Sequence, residues 1–299
     1  TLAEWTGSMF REGRNLVFIG AAGIAVRGIA PYVRDKMKDP AVLVVDEMGS
    51  YVIPLLSGHV GGANELAVDL AGAIGAQPVI TTATDVRGIF AVDVFAAKNR
   101  LVITDRRLAK QVSACLLEGK PVGFFSDFLF KDEIQGKWMP EGFRDHACEM
   151  NLWITASCKE RYGENCLRLV PRCVTVGVGC RRGTREKCLE EEIESALREG
   201  GIHPAAVKTL ATIDIKSDEA GLLALAVKKG WELKCYPAER LLAVEGDFKE
   251  SEFVRRKVGV GNVCGRACMA DGGRLMLHKR SKNGVTVAAA QAQVQLETF

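Results

Sequence analysis

Tyr51-Val-Ile-Pro-Leu-Leu56 runs into Ser57-Gly-His-Val-Gly-Gly-Ala-Asn-Glu65, which runs into Leu66, Leu70, Ala73 and Ile74. The first six residues form an apolar run of strand length, with Pro54 fitting an edge or a strand end. Leu66, Leu70, Ala73 and Ile74 fall at i, i+4, i+7 and i+8, one buried stripe of a helix. Between them, Gly58, Gly61 and Gly62 allow the backbone to turn tightly. A strand, a glycine loop and a helix N-terminus in that order is the repeating device of an α/β fold.

The same device recurs on both sides of this stretch. Upstream, Leu16–Ile19 reads as a buried strand, followed by Gly20-Ala-Ala-Gly23 and a helical run through Ile24, Val26 and Ile29 to Pro31. Ala41–Val45 is a further strand, and Pro78–Thr82 another, ending in the polar pair Thr84-Asp85. Downstream, Val174–Val178 leads into Gly177-Val-Gly-Cys-Arg-Arg-Gly-Thr184 and a helix over Arg185–Glu199, with Leu189, Ile193, Ala196 and Leu197 on one stripe. Thr184 is placed to be its N-cap, with Glu186 in the first turn. Leu210–Ile215 is a strand, and Ser217 is placed to cap a helix with Asp218 and Glu219 in its first turn. Leu275–Leu277 and Val285–Ala290 form strands around an Asn283-Gly284 turn. Residues 99–170 carry weak periodicity, with only a helix over Asp105–Leu117 and a strand over Val122–Phe125 legible. The expected organisation is an N-terminal α/β domain over 1–98, a middle segment over 99–170 and a separate C-terminal α/β domain over 171–299. The chain opens at Thr1 on a helix-like stretch to Gly13, which is expected to follow a processed or truncated start with a leading strand missing.

Composition narrows the functions. The chain of 299 residues is 47% hydrophobic and 26% charged, a globular balance that excludes a disordered tail or a coiled coil. Its 40 basic and 37 acidic residues leave +3, too little for a nucleic-acid surface. No apolar run is long enough for a membrane span. Ten cysteines are scattered without a CxxC pair or a signal peptide, and no histidine stands at ligand spacing from Cys264 or Cys268. They read as reduced cytoplasmic thiols, easiest to keep in a reducing or anaerobic cell, and no protein metal is expected.

Three places could carry chemistry. In the first loop stands His59, a residue type that ordinarily titrates near neutrality and can move protons, with Ser57, Asn64 and Glu65 adding a hydroxyl, an amide and an acid–base group. The amides of Gly58–Gly62 at a helix N-terminus could stabilise an oxyanion. The plainer alternative is a tight turn with Ser57 bonding its own backbone and His59 in solvent. The second loop offers Gly179, Cys180, Arg181, Arg182 and Thr184 before a helix. The arginine pair suits carboxylates. Cys180 is either a dipole-activated nucleophile or, as we favour, a small apolar filler. Third, Asp214 and Lys216 either bracket a polar group or form a salt bridge beside a capped helix. Arg27, one turn into the first glycine-led helix, is either an anion clamp or a solvated side chain. Two glycine loops with arginines point to a polyanionic small molecule held between two domains.

The strings Leu55-Leu-Ser-Gly-His-Val-Gly-Gly-Ala-Asn64, Val79-Ile-Thr-Thr-Ala-Thr-Asp85 and Val176-Gly-Val-Gly-Cys-Arg-Arg-Gly-Thr184, in this order and spacing, resemble the CbiG family. So do Asp39-Pro-Ala-Val42, Ala211-Thr-Ile-Asp214, Val258-Gly-Val-Gly-Asn-Val263 and the ending Lys282–Ala290. The resemblance covers residues 16–97 and 173–291. Gly265-Arg266 after Cys264 departs from the family pattern, which has a glutamate there; if that glutamate touches substrate, this chain binds it differently. The family comprises the cobalt-precorrin-5A hydrolases of anaerobic cobalamin biosynthesis. The resemblance therefore implies a cobalt-corrinoid substrate whose ring A δ-lactone is opened and whose extruded carbon leaves as acetaldehyde. It also implies cobalt brought by the substrate, no further cofactor, no nucleic-acid or membrane partner, and contact with neighbouring enzymes of the pathway. On that reading His59 is the base, oriented by Glu65 or Asp85. Arg181, Arg182 and Arg27 would then hold the substrate's acid side chains. A non-catalytic corrinoid carrier is the competing expectation. A nucleotide enzyme is a more distant one, since neither GxGxxG nor GxxxxGK[ST] occurs.

Overall fold

The computed structural model describes residues 1–35, 38–82, 88–131 and 138–298. Among these residues the chain builds three α/β layers in succession. The first sheet has the order β1-β2-β3-β4, from Leu16–Ile19, Val42–Val45, Tyr51–Leu56 and Gln77–Pro78. β1 and β2 are parallel, β3 is antiparallel to β2, and β4 is parallel to β3. Helices α1 (Leu2–Arg11) and α2 (Ala22–Ile29) pack on the face carrying Val42 and Val44, and α3 (Ala63–Ile74) on the face carrying Leu43 and Val45. A strand covered on both faces has no polar alternation, so β2 is buried at every position. The expected strand over Pro78–Thr82 shortens to β4. It lies at the sheet edge, where Pro78 lacks an N–H, and pairing ends once the Val79 amide has reached the Val52 carbonyl at 2.9 Å. Thr84 and Asp85 lie outside the described residues.

The middle layer starts with α4 (Val92–Lys98), β5 (Leu101–Ile103) and α5 (Arg106–Leu117). It continues with β6 (Val122–Ser126), β7 (Leu129–Phe130), β8 (Phe143–Arg144), β9 (Met150–Ile154) and β10 (Cys166–Pro171). Its sheet has the order β5-β10-β9-β6-β8, parallel except for β5. The weak periodicity has a cause: β9 is buried at all five positions, so nothing alternates. Phe90, Phe95, Phe124, Phe130, Trp138 and Phe143, drawn from loops, α4 and short strands, fill the core as one aromatic cluster. The Asp105 carboxylate caps α5, accepting from the amides of Arg107 at 2.7 Å and Leu108 at 3.1 Å.

The last layer holds β11 (Val174–Cys180), α6 (Glu186–Glu199), β12 (Val207–Ile213), α7 (Ala220–Lys229) and β13 (Glu232–Tyr236). It closes with α8 (Ala238–Leu242), α9 (Glu252–Val258), α10 (Val263–Met269), β14 (Arg274–Lys282) and β15 (Val285–Gln291). The order is β13-β12-β11-β15-β14, with β11, β12 and β13 parallel. Two expected caps are corrected. Thr184 does not cap α6: Arg185 holds that position, and the Thr184 hydroxyl donates to the Arg181 carbonyl at 2.7 Å. Ser217 does not start α7, because a 3-10 turn over Asp214–Lys216 intervenes and Glu219 occupies the N-cap. A final strand, β16 (Gln295–Leu296), returns to the middle layer and pairs in parallel with β7. There Glu297 bonds Lys131, and its backbone exchanges bonds with the Asn99 amide group at the end of α4. No helix among the described residues is long and apolar enough to cross a membrane.

Candidate functional site

β3 delivers the chain into Ser57 in a left-handed conformation, φ 57°, which costs a non-glycine residue about 1–2 kcal/mol. Two bonds hold it there. The Ser57 hydroxyl donates to the Asp39 carbonyl at 2.8 Å, and its own carbonyl accepts the Ala63 amide at 3.1 Å. Gly58 O accepts from Asn64 N at 2.9 Å, His59 O accepts from Gly62 N at 2.8 Å, and Gly62 turns into α3 with φ 77°. The amides of Ala63 and Asn64, the first two of α3, are therefore satisfied by the loop itself, and that of Leu66 by Gly62. This corrects, for those amides, the expectation of a helix end left open for an anion. Gly62 is removed from the proposed oxyanion donors, while the amides of Gly58, Val60 and Gly61 make no hydrogen bond with another described residue.

Folding the loop back on α3 lifts His59 toward the middle layer. Its Nδ1 stands 3.1 Å from Asp93 Oδ1, with the two side chains only 14% and 20% exposed. Asp93 sits in the first turn of α4 and also accepts the Val94 amide at 3.2 Å. A carboxylate at Nδ1 fixes the proton there and leaves Nε2 as the basic nitrogen. The sequence reading placed Glu65 or Asp85 in this role. Glu65 is exposed in the first turn of α3 and makes no bond to His59, and Asp85 lies outside the described residues. Asn64 instead reaches Thr82 Oγ1, at 3.1 Å.

His59, Val60, Thr82 and Asp93 line a cavity of about 1010 Å³ between the first layer and helices α4 and α5. This is ample for a large small-molecule ligand. Arg34, Arg100, Arg106 and Lys110 line it as well. Sequence reasoning missed these four and Asp93. One signal was available: Arg106 and Lys110 lie at i and i+4 on α5, off the buried stripe Leu108, Val112, Leu116.

The second glycine loop is elsewhere and closed on itself. Gly177 and Gly179 lie inside β11, where Gly177 admits the backbone of α10: a Cβ on it would sit 1.9 Å from Cys264 O. Arg182 is paired with Asp218 at 3.1 Å and with the Ile215 carbonyl at 2.9 Å. The buried Glu219 carboxylate takes the Gly183 amide at 2.7 Å and Lys216 Nζ at 2.8 Å, so Lys216 is an internal anchor. Asp214 accepts the Ile215 amide at 2.7 Å in the 3-10 turn. Burial pushes the Cys180 thiol up, more than Lys216 draws it down, which leaves it protonated at neutral pH. Arg181 and Arg182 are exposed, and so is Arg27 in the last turn of α2; none of the three lines the cavity. Gly265 and Arg266 are within α10, where Arg266 pairs with Glu250 at 2.9 Å.

Residues 4–85 match the family described as cobalamin synthesis G N-terminal, residues 90–171 the cobalamin biosynthesis central region, and residues 174–290 the cobalamin synthesis G C-terminus. The match thus takes in the middle layer, which the motif resemblance had left uncovered. A protein of Salmonella typhimurium named cobalt-precorrin-5A hydrolase is 40% identical over 287 residues, spanning 93% of this chain and 82% of that protein. One of the same name from Priestia megaterium is 32% identical over 307 residues, spanning 95% and 80%. The crystal structure of CobE, a protein from the cobalamin (vitamin B12) biosynthetic pathway, is 32% identical over 41% of this chain and 92% of its own, with a TM-score of 0.39. By its matched regions and its similarity along nearly the whole chain, this protein belongs to the cobalamin synthesis G family.

Proposed function

We propose that this chain is a cobalt-precorrin-5A hydrolase of cobalamin biosynthesis, with its chemistry at His59 in the cavity between the first and middle layers. Family membership supports the substrate class, and the observation that carries the site is the His59–Asp93 pair at 3.1 Å on the cavity wall. The substrate brings its own cobalt. His59 Nε2 takes a proton from water, and the resulting hydroxide adds to the carbonyl carbon of the ring A δ-lactone. The amides of Gly58, Val60 and Gly61 are the nearest backbone donors for the oxyanion. Collapse breaks the acyl carbon–oxygen bond, and the leaving oxygen takes the proton back from His59.

The product carries a free carboxylate and a hydroxyl on the methyl-bearing extruded carbon. His59 then removes that hydroxyl proton. The carbon–oxygen double bond forms as the carbon–carbon bond to the macrocycle breaks. The bonding pair enters the conjugated ring, which is reprotonated, and acetaldehyde leaves. One water is consumed and no net oxidation occurs. Asp93 stabilises the imidazolium in both steps by facing Nδ1. The test is acetaldehyde release from cobalt-precorrin-5A by the intact chain. Release by wild type and its loss in His59→Ala are expected; near-normal release by His59→Ala would remove His59 from the mechanism.

A further inference from the structure

We infer that α4, β5 and α5 of the middle layer, together with Arg34, form the carboxylate-recognition wall for the substrate, with Arg100, Arg106 and Lys110 as its principal contacts. The inference rests on the corrinoid reading above and assigns the acid-binding role to residues other than the arginines of the second glycine loop.

Three observations carry it. First, among the described residues four cationic side chains line the cavity against two carboxylates, in a chain whose overall charge is only +3. Both carboxylates are engaged, Asp93 with His59 and Asp35 with Arg106 at 3.5 Å. Among the described residues Arg34, Arg100 and Lys110 have no carboxylate partner. Unpaired cations also occur among the described residues of the last layer, where Arg182, Lys228 and Arg280 are paired and Arg181 and Arg185 are not, so it is their convergence on one cavity that sets Arg34, Arg100 and Lys110 apart. Second, Arg100 holds φ 53°, a conformation that glycine adopts freely and arginine does not. A long cation kept at such a position, on a cavity wall, is a side chain with a use. Third, the surface between the cations is low: Ala96 and Ala97 of α4 and Ala109, Ser113 and Ala114 of α5 line the same cavity. A flat macrocycle can lie against these small residues while its peripheral acetates and propionates reach the guanidinium and ammonium groups. Arg106, held loosely by Asp35, can exchange that carboxylate for one from the substrate.

The probe is cobyrinic acid, a cobalt corrinoid with free peripheral carboxylates, against its fully methyl-esterified form. Binding to the intact chain is followed by visible absorbance and calorimetry. The acid is expected to bind with an affinity that falls steeply with salt, and the ester at least tenfold more weakly. Arg100→Gln, Arg106→Gln and Lys110→Gln are each expected to weaken the acid about three- to tenfold, and the triple variant on the order of a hundredfold. Lys187→Gln, far out on α6, should change nothing. Thermal melting of each variant checks the fold. Equal binding of acid and ester would overturn the inference, as would wild-type affinity in the triple variant or a loss confined to Arg181→Gln and Arg182→Gln. The readout is independent of turnover. A chain that binds the acid through these cations yet releases no acetaldehyde keeps this inference and loses the hydrolase reading. A triple variant with wild-type release at limiting substrate does the reverse.

Discussion

Two loops of this molecule share one sequence device and do opposite things with it. Ser57–Gly62 and Arg181–Arg185 each follow an apolar strand and precede a helix. In the first, the loop carbonyls satisfy the first two amides of α3, and the side chain left over, His59, is turned to a cavity and matched by Asp93 from another layer. In the second, the side chains themselves close the loop: Arg182 on Asp218, Thr184 on the Arg181 carbonyl, Glu219 on the Gly183 amide. A glycine loop therefore reports a close approach of backbone. What it approaches, a cavity or a neighbouring helix, decides whether it serves a ligand.

The two loops differ most at the histidine. His59→Ala should lower acetaldehyde release by on the order of 10²–10⁴-fold, and Asp93→Asn by a smaller factor. Cys180→Ala should leave release near wild type; a comparable drop there would place the chemistry in the second loop. Next is packing. Gly177→Ala drives a Cβ to 1.9 Å from Cys264 O and 2.9 Å from Cys268 N, so α10 must shift, at a cost of about 3 kcal/mol. Urea denaturation reads this directly, and an unchanged midpoint would mean that β11 and α10 are looser than described. Smaller again, Arg182→Gln removes an exposed pair with Asp218 and should cost about 1 kcal/mol or less.

The smallest effect separates titration of the fold from titration of the site. Burial, and then the charge of Arg168, hold His203 below its ordinary value of 6.5. The unfolded chain thus takes up the proton first, and the stability contributed by neutral His203 is full above pH 6.5 and is lost as the pH falls toward the folded value. His203→Gln should flatten stability against pH in that window, measured by chemical denaturation, while the pH profile of acetaldehyde release keeps its shape.

Much of the frame was legible because it is written locally. Leu16–Ile19 and Tyr51–Leu56 are strands with the bounds their apolar runs give, and α5 begins one residue after Asp105, its cap. What failed was set by tertiary contacts. Thr184 and Ser217 have the chemistry of caps, but Glu219 and Asp218 draw the loop into another shape. β9 and β10 escaped notice because burial on both faces erases alternation. The site was half visible. His59 stood out among glycines, whereas Asp93 looks like any acid in a first helical turn and meets His59 only across 34 residues of chain. The cations of α5 were readable as a helix face, but not that a cavity lay beside it.

The return of β16 to β7 bears on how this protein can be taken apart. Gln295 and Leu296 pair with Leu129 and Phe130, and Glu297 and Thr298 fasten Asn99 and Lys98, next to Arg100. A fragment that begins at Cys173 would carry this clasp with nothing to hold, and the complementary fragment would lose the brace beneath α4.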